Sequence, residues 1–209
     1  MGRRKETQKK AKPPRQAEAR QALYDELTRL KVPDDWDLLM IGDGSGSNWK
    51  YGVGWGVVCV EKDRPKPKVC FGAMEPATVN ISELMPYIHG LSWYIEELRS
   101  RKAPAEIRVV RILTDSLHTK DKGESPDRTR SKKNSGFWGA FAALERQGLV
   151  VHWHHFRRNE LRLNVFADKV SKLSRLALKD AKVISQTEEM FGPVSEVNLR
   201  HDDMECEEQ

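Results

Sequence analysis

The sequence has 209 residues, with 36 Lys plus Arg against 31 Asp plus Glu and a formal net charge of +5. That length points to one domain with tails, and no apolar run approaches the roughly 18 residues of a membrane-spanning helix. Residues 1–20 lack the apolar core of a signal peptide, and three cysteines (Cys59, Cys70, Cys206) are too few for a disulfide scaffold. The reading is of a cytoplasmic protein, nuclear or organellar if the source is eukaryotic.

Between residues 3 and 31, ten Lys or Arg stand against four Asp or Glu. Lys12-Pro13-Pro14-Arg15 is an extended piece, because proline removes an amide donor and disfavours helix before it. Leu23, Leu27 and Leu30 then recur at helical spacing. Residues 1–33 therefore read as a basic arm with a short helix, either a solvated tail or an electrostatic arm for phosphates. Residues 36–42 (WDLLMIG) form a continuous apolar run, as a strand covered on both faces would. Next, Tyr51, Val53, Trp55, Val57 and Cys59 alternate with Gly52, Gly54, Gly56, Val58 and Val60, the period of a second strand. After the Arg64-Pro65-Lys66-Pro67 turn, residues 68–74 make a third, giving an antiparallel meander.

Leu84, Ile88, Leu91, Ile95 and Leu98 mark one face of a helix, with Ser82 as its N-cap and Pro86 in its first turn. Residues 107–114 (IRVVRILT) read as a fourth strand, 120–133 as a polar loop, 137–147 as a helix stopped by Gly148, and 149–156 as a fifth strand. A last amphipathic helix covers 164–182 through Phe166, Val170, Leu173 and Ala177. Residues 185–209 hold eight Asp or Glu against Arg200 alone, a composition that disfavours a packed core. The expected organisation is a basic arm (1–33), one α/β domain (34–182) and an acidic, disordered tail (183–209). The domain should contain a five-stranded mixed sheet, an antiparallel three-strand meander plus two parallel strands, flanked by helices.

Four carboxylates stand at the ends of these elements. Asp43 follows the first strand and Asp115 ends the fourth, so both fall at one edge of the sheet. Glu83 and Asp168 lie near helix starts, where negative charge is favoured electrostatically in any case. Brought together, the four would repel one another and need cations to coexist, and hard, oxygen-preferring ions such as magnesium or manganese suit such a cluster. Two such ions about 4 Å apart can clamp a phosphodiester. His152 and His154 share a strand face, but no cysteine pair or carboxylate lies at zinc-ligand spacing.

The strings MIGDGSGSN, NISELMPYIHGL, RILTDS and NVFADKVSKL, in this order, resemble the retroviral and bacterial type 1 ribonuclease H family over roughly residues 37–178. The resemblance implies a ribonuclease H-like fold and an endoribonuclease that hydrolyses the RNA strand of RNA–DNA hybrids with two magnesium ions, manganese able to substitute. It makes Asp43, Glu83, Asp115 and Asp168 the metal-binding, catalytic carboxylates. Candidates for substrate contact are Gly44, Ser45, Asn48, Asn80 and Ser116, with Asn164 as a helix cap. Where the family's mobile loop carries a histidine, residues 156–162 here carry Arg157, Arg158 and Arg162 and no histidine. His154, His155 or Arg158 is then the candidate auxiliary group, Arg158 through charge alone because it does not release a proton near neutrality. A monomer bound to hybrid, with no membrane partner, is expected. The alternatives are a nuclease of the same fold acting on DNA, as resolvases and exonucleases do, and a non-catalytic nucleic-acid-binding module.

Overall fold

The computed structural model describes residues 15–46, 52–64, 66–75, 77–130, 134–158 and 160–191, without the side chains of 15–17 and 180–191. The chain runs through α1 (Arg15–Arg29), β1 (Leu38–Gly46), β2 (Val53–Glu61), β3 (Lys68–Met74), α2 (Val79–Ser100), β4 (Arg108–Thr114), α3 (Leu117–Glu124), α4 (Ser135–Glu145), β5 (Leu149–His155) and α5 (Arg162–Phe191). The strands form a 5-stranded sheet in the order β3-β2-β1-β4-β5. The β1–β2 and β2–β3 pairs are antiparallel, and the β1–β4 and β4–β5 pairs are parallel. This is the mixed sheet that the strand patterns imply.

Alternation along each strand divides the core into two layers. Leu38, Met40, Val57, Cys59, Val110 and Ile112 point to one face, where Leu84, Tyr87 and Leu91 of α2 and Trp138 and Phe141 of α4 cover them. Leu39, Ile41, Val58, Val60 and Leu113 point to the other. On that second face α1 contributes Leu23 and Leu27, which keep only 8% and 3% of their exposure. The helix of the basic arm is thus part of the core and not a solvated tail. Its last turn also grips the start of α5 and the residues just before it: Arg29 Nη2 donates to the Glu160 carbonyl at 2.6 Å, and Glu26 pairs with Arg162, the first residue of α5, at 3.2 Å.

Helix α5 lies across β1, β2 and β3 on the glycines of β2. A side chain at Gly54 would place its Cβ on the Ser171 carbonyl oxygen and 2.6 Å from the Arg175 amide nitrogen, so only glycine permits this approach. The helix continues past residue 182 to Phe191, because no helix breaker intervenes before Gly192-Pro193. Part of the expected acidic tail is therefore helical, and residues 192–209 lie outside the described residues.

Three further boundaries differ from expectation. Strand β1 extends through Asp43 to Gly46, because Gly44, Ser45 and Gly46 are held in register opposite Trp55, Gly54 and Val53 despite their weak strand preference. Helix α2 begins a turn earlier, with Thr78 as N-cap accepting from the Ile81 amide at 3.4 Å. Ser82 is buried inside the helix, its hydroxyl donating to the Val79 carbonyl at 2.7 Å. Pro86 then sits within α2 and supplies no amide to the Ser82 carbonyl. Helix α3 occupies the start of the expected polar loop, nucleated by Ser116, whose Oγ accepts from the Thr119 amide at 3.3 Å. Among the described residues, no helix is long and apolar enough to cross a membrane.

Candidate active site

The parallel pairing of β1 with β4 carries Asp43 and Asp115 to the same end of the sheet. Helix α2 crosses β1 there and delivers Glu83 from its second turn. The crossing is close because a Cβ at Gly44 would fall 2.6 Å from the Ser82 carbonyl oxygen. Ligand atoms of Asp43, Glu83 and Asp115 all lie within 4.8 Å of one another. Gly44 donates its amide to Asp43 Oδ1 at 2.8 Å, but Asp43 Oδ2 and Glu83 Oε2 are buried without a partner.

The electrostatics of this cluster are strained in the absence of cations. Burial, reinforced by the charges of Asp115 and Asp168, pushes the Asp43 carboxyl up to about 7. Burial, with Asp43 and Asp115 adding and Arg158 opposing, pushes Glu83 up to about 8. Asp115 accepts from Asn164 Nδ2 at 3.3 Å. Asn164 therefore orients a carboxylate with its buried side chain and does not serve as the expected helix cap.

Asp168 joins the same cleft from the second turn of α5 but in a different state. Lys172 Nζ lies 2.6 Å from its Oδ2, and Arg158 Nη2 lies 3.5 Å from its Oδ1. Burial alone would raise its pKa, but the hydrogen bond from Lys172 and the charges of Lys172 and Arg158 hold it below the ordinary carboxylate value. Three carboxylates thus form a tight group, and the fourth faces it while paired with two cations.

The cleft has a volume of about 520 Å³ and includes Gly44, Ser45, Ser116, Arg158, Lys172 and Arg175 in its wall. Ser116 is both wall and α3 cap. Asn80 is exposed in the first turn of α2 and is not part of the wall, and Asn48 lies outside the described residues. His154 points to the sheet face opposite Trp153, where its Nε2 lies 2.7 Å from Arg111 Nη1. Burial, with the charges of Arg111 and His152, lowers its pKa, as expected for a neutral ring accepting from a guanidinium. Neither His154 nor the exposed His155 reaches the cleft, so Arg158 is the auxiliary candidate found there. Lys172 and Arg175 escaped the sequence reading. Their spacing of four and seven residues from Asp168 places all three along one side of a helix.

An all-oxygen donor set with two orphaned carboxylate oxygens suits a hard divalent cation far better than a thiophilic metal. The residues present therefore fit a cation of this class.

No protein-family model matches the sequence, and no curated protein matches it. Solved structures do. The N-terminal ribonuclease H domain of Rv2228c from Mycobacterium tuberculosis, studied as a fusion with maltose-binding protein, superposes with a TM-score of 0.52 at 19% identity, over 69% of this chain and 97% of that one. LC11-RNase H1 in complex with an RNA/DNA hybrid gives 0.55 at 14% identity, over 67% and 97%. A second structure of LC11-RNase H1, isolated from compost by a metagenomic approach, gives 0.53 at 16%, over 68% and 96%. Sheet order, helix placement and these superpositions agree: the chain has the ribonuclease H-like fold.

Proposed function

We propose that this protein is an endoribonuclease that hydrolyses the RNA strand of RNA–DNA hybrids with two divalent cations, magnesium in the first place and manganese as a substitute. The observation that carries this reading is the meeting of Asp43, Glu83 and Asp115 within 4.8 Å, with buried oxygens left unpartnered, in a cleft at the strand ends of a ribonuclease H-like sheet. The hybrid in the LC11-RNase H1 complex is that enzyme's ligand, and it supports the substrate class here by analogy of fold alone.

In this reading Asp43, Glu83, Asp115 and Asp168 would hold the cations, which when bound would lower the pKa of the attacking water and neutralise charge on the leaving oxygen. The chain's own groups bind and orient. Gly44 fixes Asp43 through its amide, and Asn164 fixes Asp115. Lys172 and Arg158 keep Asp168 ionised and ready to coordinate. Arg158, 68% exposed, is free to swing onto the scissile phosphate as a fixed positive charge. Substrate contacts fall to Gly44, Ser45, Ser116, Asn48 and Asn80, the last two able to face 2′-hydroxyls. The catalytic domain is residues 34–182, to which α1 is fastened, and the protein acts as a monomer.

The test is a cleavage panel in magnesium with labelled RNA–DNA hybrid, duplex DNA and duplex RNA of one sequence. Internal cuts confined to the RNA strand of the hybrid are expected. Cutting of duplex DNA with the hybrid spared would replace this reading with the DNA-nuclease alternative, and no cutting of any substrate would refute both.

A further inference from the structure

Arg158 and Lys172 both face Asp168, at 3.5 and 2.6 Å, so the positive charge they bring to the cleft is already matched by a carboxylate. Arg175 differs. It lines the same cleft beside Ser45, Gly46 and Val79, yet its guanidinium has no hydrogen-bond or ion-pair partner among the described residues, and its Nε is shut off from solvent. Nε itself is sealed from the cleft, but the two terminal nitrogens are neither sealed nor paired, and they are the atoms that can take an anion there.

The position is a built one. The backbone of Arg175 is pressed against β2, where a Cβ at Gly54 would come within 2.6 Å of its amide nitrogen and 2.9 Å of its Cβ. The side chain is therefore launched from a fixed point. Seven residues beyond Asp168, it stands two turns along the same side of α5, about 10 Å from that carboxylate along the axis. Phosphates on one strand succeed each other every ~3.4 Å of duplex axis, so a strand with its scissile phosphate at the carboxylates carries further phosphates over that distance. The planar fork of arginine matches phosphate oxygens two at a time.

We propose that Arg175 is a further substrate contact: its guanidinium binds a backbone phosphodiester of the nucleic acid on the Gly46–Val79 side of the carboxylates. This rests on the nuclease reading for the identity of the strand, but the contact itself is to phosphate and is sequence-independent.

The experiment is fluorescence-anisotropy binding of labelled RNA–DNA hybrid, and of duplex DNA of the same sequence, to the full chain in calcium, from 50 to 200 mM salt. Wild type, Arg175→Gln and Arg175→Lys are compared, with melting temperatures as a folding control. Losing one phosphate contact should reduce the slope of log affinity against log salt by about 1. Arg175→Gln should show that loss and weaken binding several-fold, while Arg175→Lys should restore the slope but not all the affinity. A slope unchanged in Arg175→Gln overturns the inference and leaves the nuclease reading standing. Binding of duplex DNA with the hybrid ignored overturns the substrate assignment, and the slope on DNA then still tests Arg175. A wild-type chain that binds neither overturns both.

Discussion

The Tyr87 hydroxyl lies 3.0 Å from the Gly42 carbonyl oxygen, donating to it from the centre of the fold. The Leu113 carbonyl is 3.2 Å from the same hydroxyl. One buried phenol thereby bridges the two strands just before they present Asp43 and Asp115. The pairing is complementary in shape, since a Cβ on Gly42 would come within 2.7 Å of Pro86 and 3.0 Å of the Tyr87 ring. Tyr87 also lies one helical turn beyond Glu83, so a single stretch of α2 supplies one carboxylate and ties together the carriers of two others.

Tyr87→Phe keeps the ring and removes the donor. It should fold, lose about 1–3 kcal/mol of stability by leaving buried carbonyls unsatisfied, and weaken manganese binding. Chemical denaturation and calorimetric metal titration measure the two effects. Manganese affinity equal to wild type would show that the bridge does not hold the carboxylates in place.

Gly54→Ala puts a methyl group against the backbone of α5 at Ser171 and Arg175. The helix must lift, carrying Asp168 with it. Stability should fall by at least about 1–3 kcal/mol, the usual cost of overpacking, and nuclease activity should fall further than the folded fraction explains. Parallel measurement of melting temperature and turnover separates the two.

Stability should depend on pH in a direction opposite to that of ordinary carboxylates. Asp43 and Glu83 hold protons up to about 7 and 8 when folded, whereas they lose them near 4 when unfolded. Between those limits the folded state binds more protons, so the stability of the cation-free protein should decline as pH rises from about 4 to 8. Magnesium should relieve this, and its stabilising shift should be small at pH 5 and large at pH 8. Melting curves with and without magnesium provide the check, and a shift independent of pH would contradict the assignment.

Leu27→Ala should cost about 2–5 kcal/mol, the range for a buried leucine, because Leu27 is 3% exposed against the second face of the sheet. A denaturant midpoint close to wild type would return α1 to the status of a tail.

The sheet was legible because its strands are written in two simple patterns, an unbroken apolar run for β1 and an alternation for β2. Asp43 and Asp115 stood out because each follows the apolar run of a strand, whereas Glu83 and Asp168 lie near helix starts, where negative charge is ordinary, and joined the set through the family resemblance. Side-chain direction near the site was less so. Nothing in His152-Trp153-His154-His155 says that Trp153 takes the α2 face, yet that fact turns His154 toward Arg111, far from it in sequence, and away from the cleft. Helix α3 escaped because it is short and polar, held by the Ser116 cap and not by an apolar stripe. Ser82 is the cap of α2 that the sequence suggests, but Thr78 takes that place by accepting from the Ile81 amide, and Ser82 lies buried inside the helix.

The most direct measurement is anomalous diffraction from crystals soaked in manganese. Two peaks about 4 Å apart are predicted, one enclosed by Asp43, Glu83 and Asp115 and the other completed by Asp168 as Lys172 and Arg158 draw back from it. Saturating manganese with no peak among these carboxylates would contradict the account.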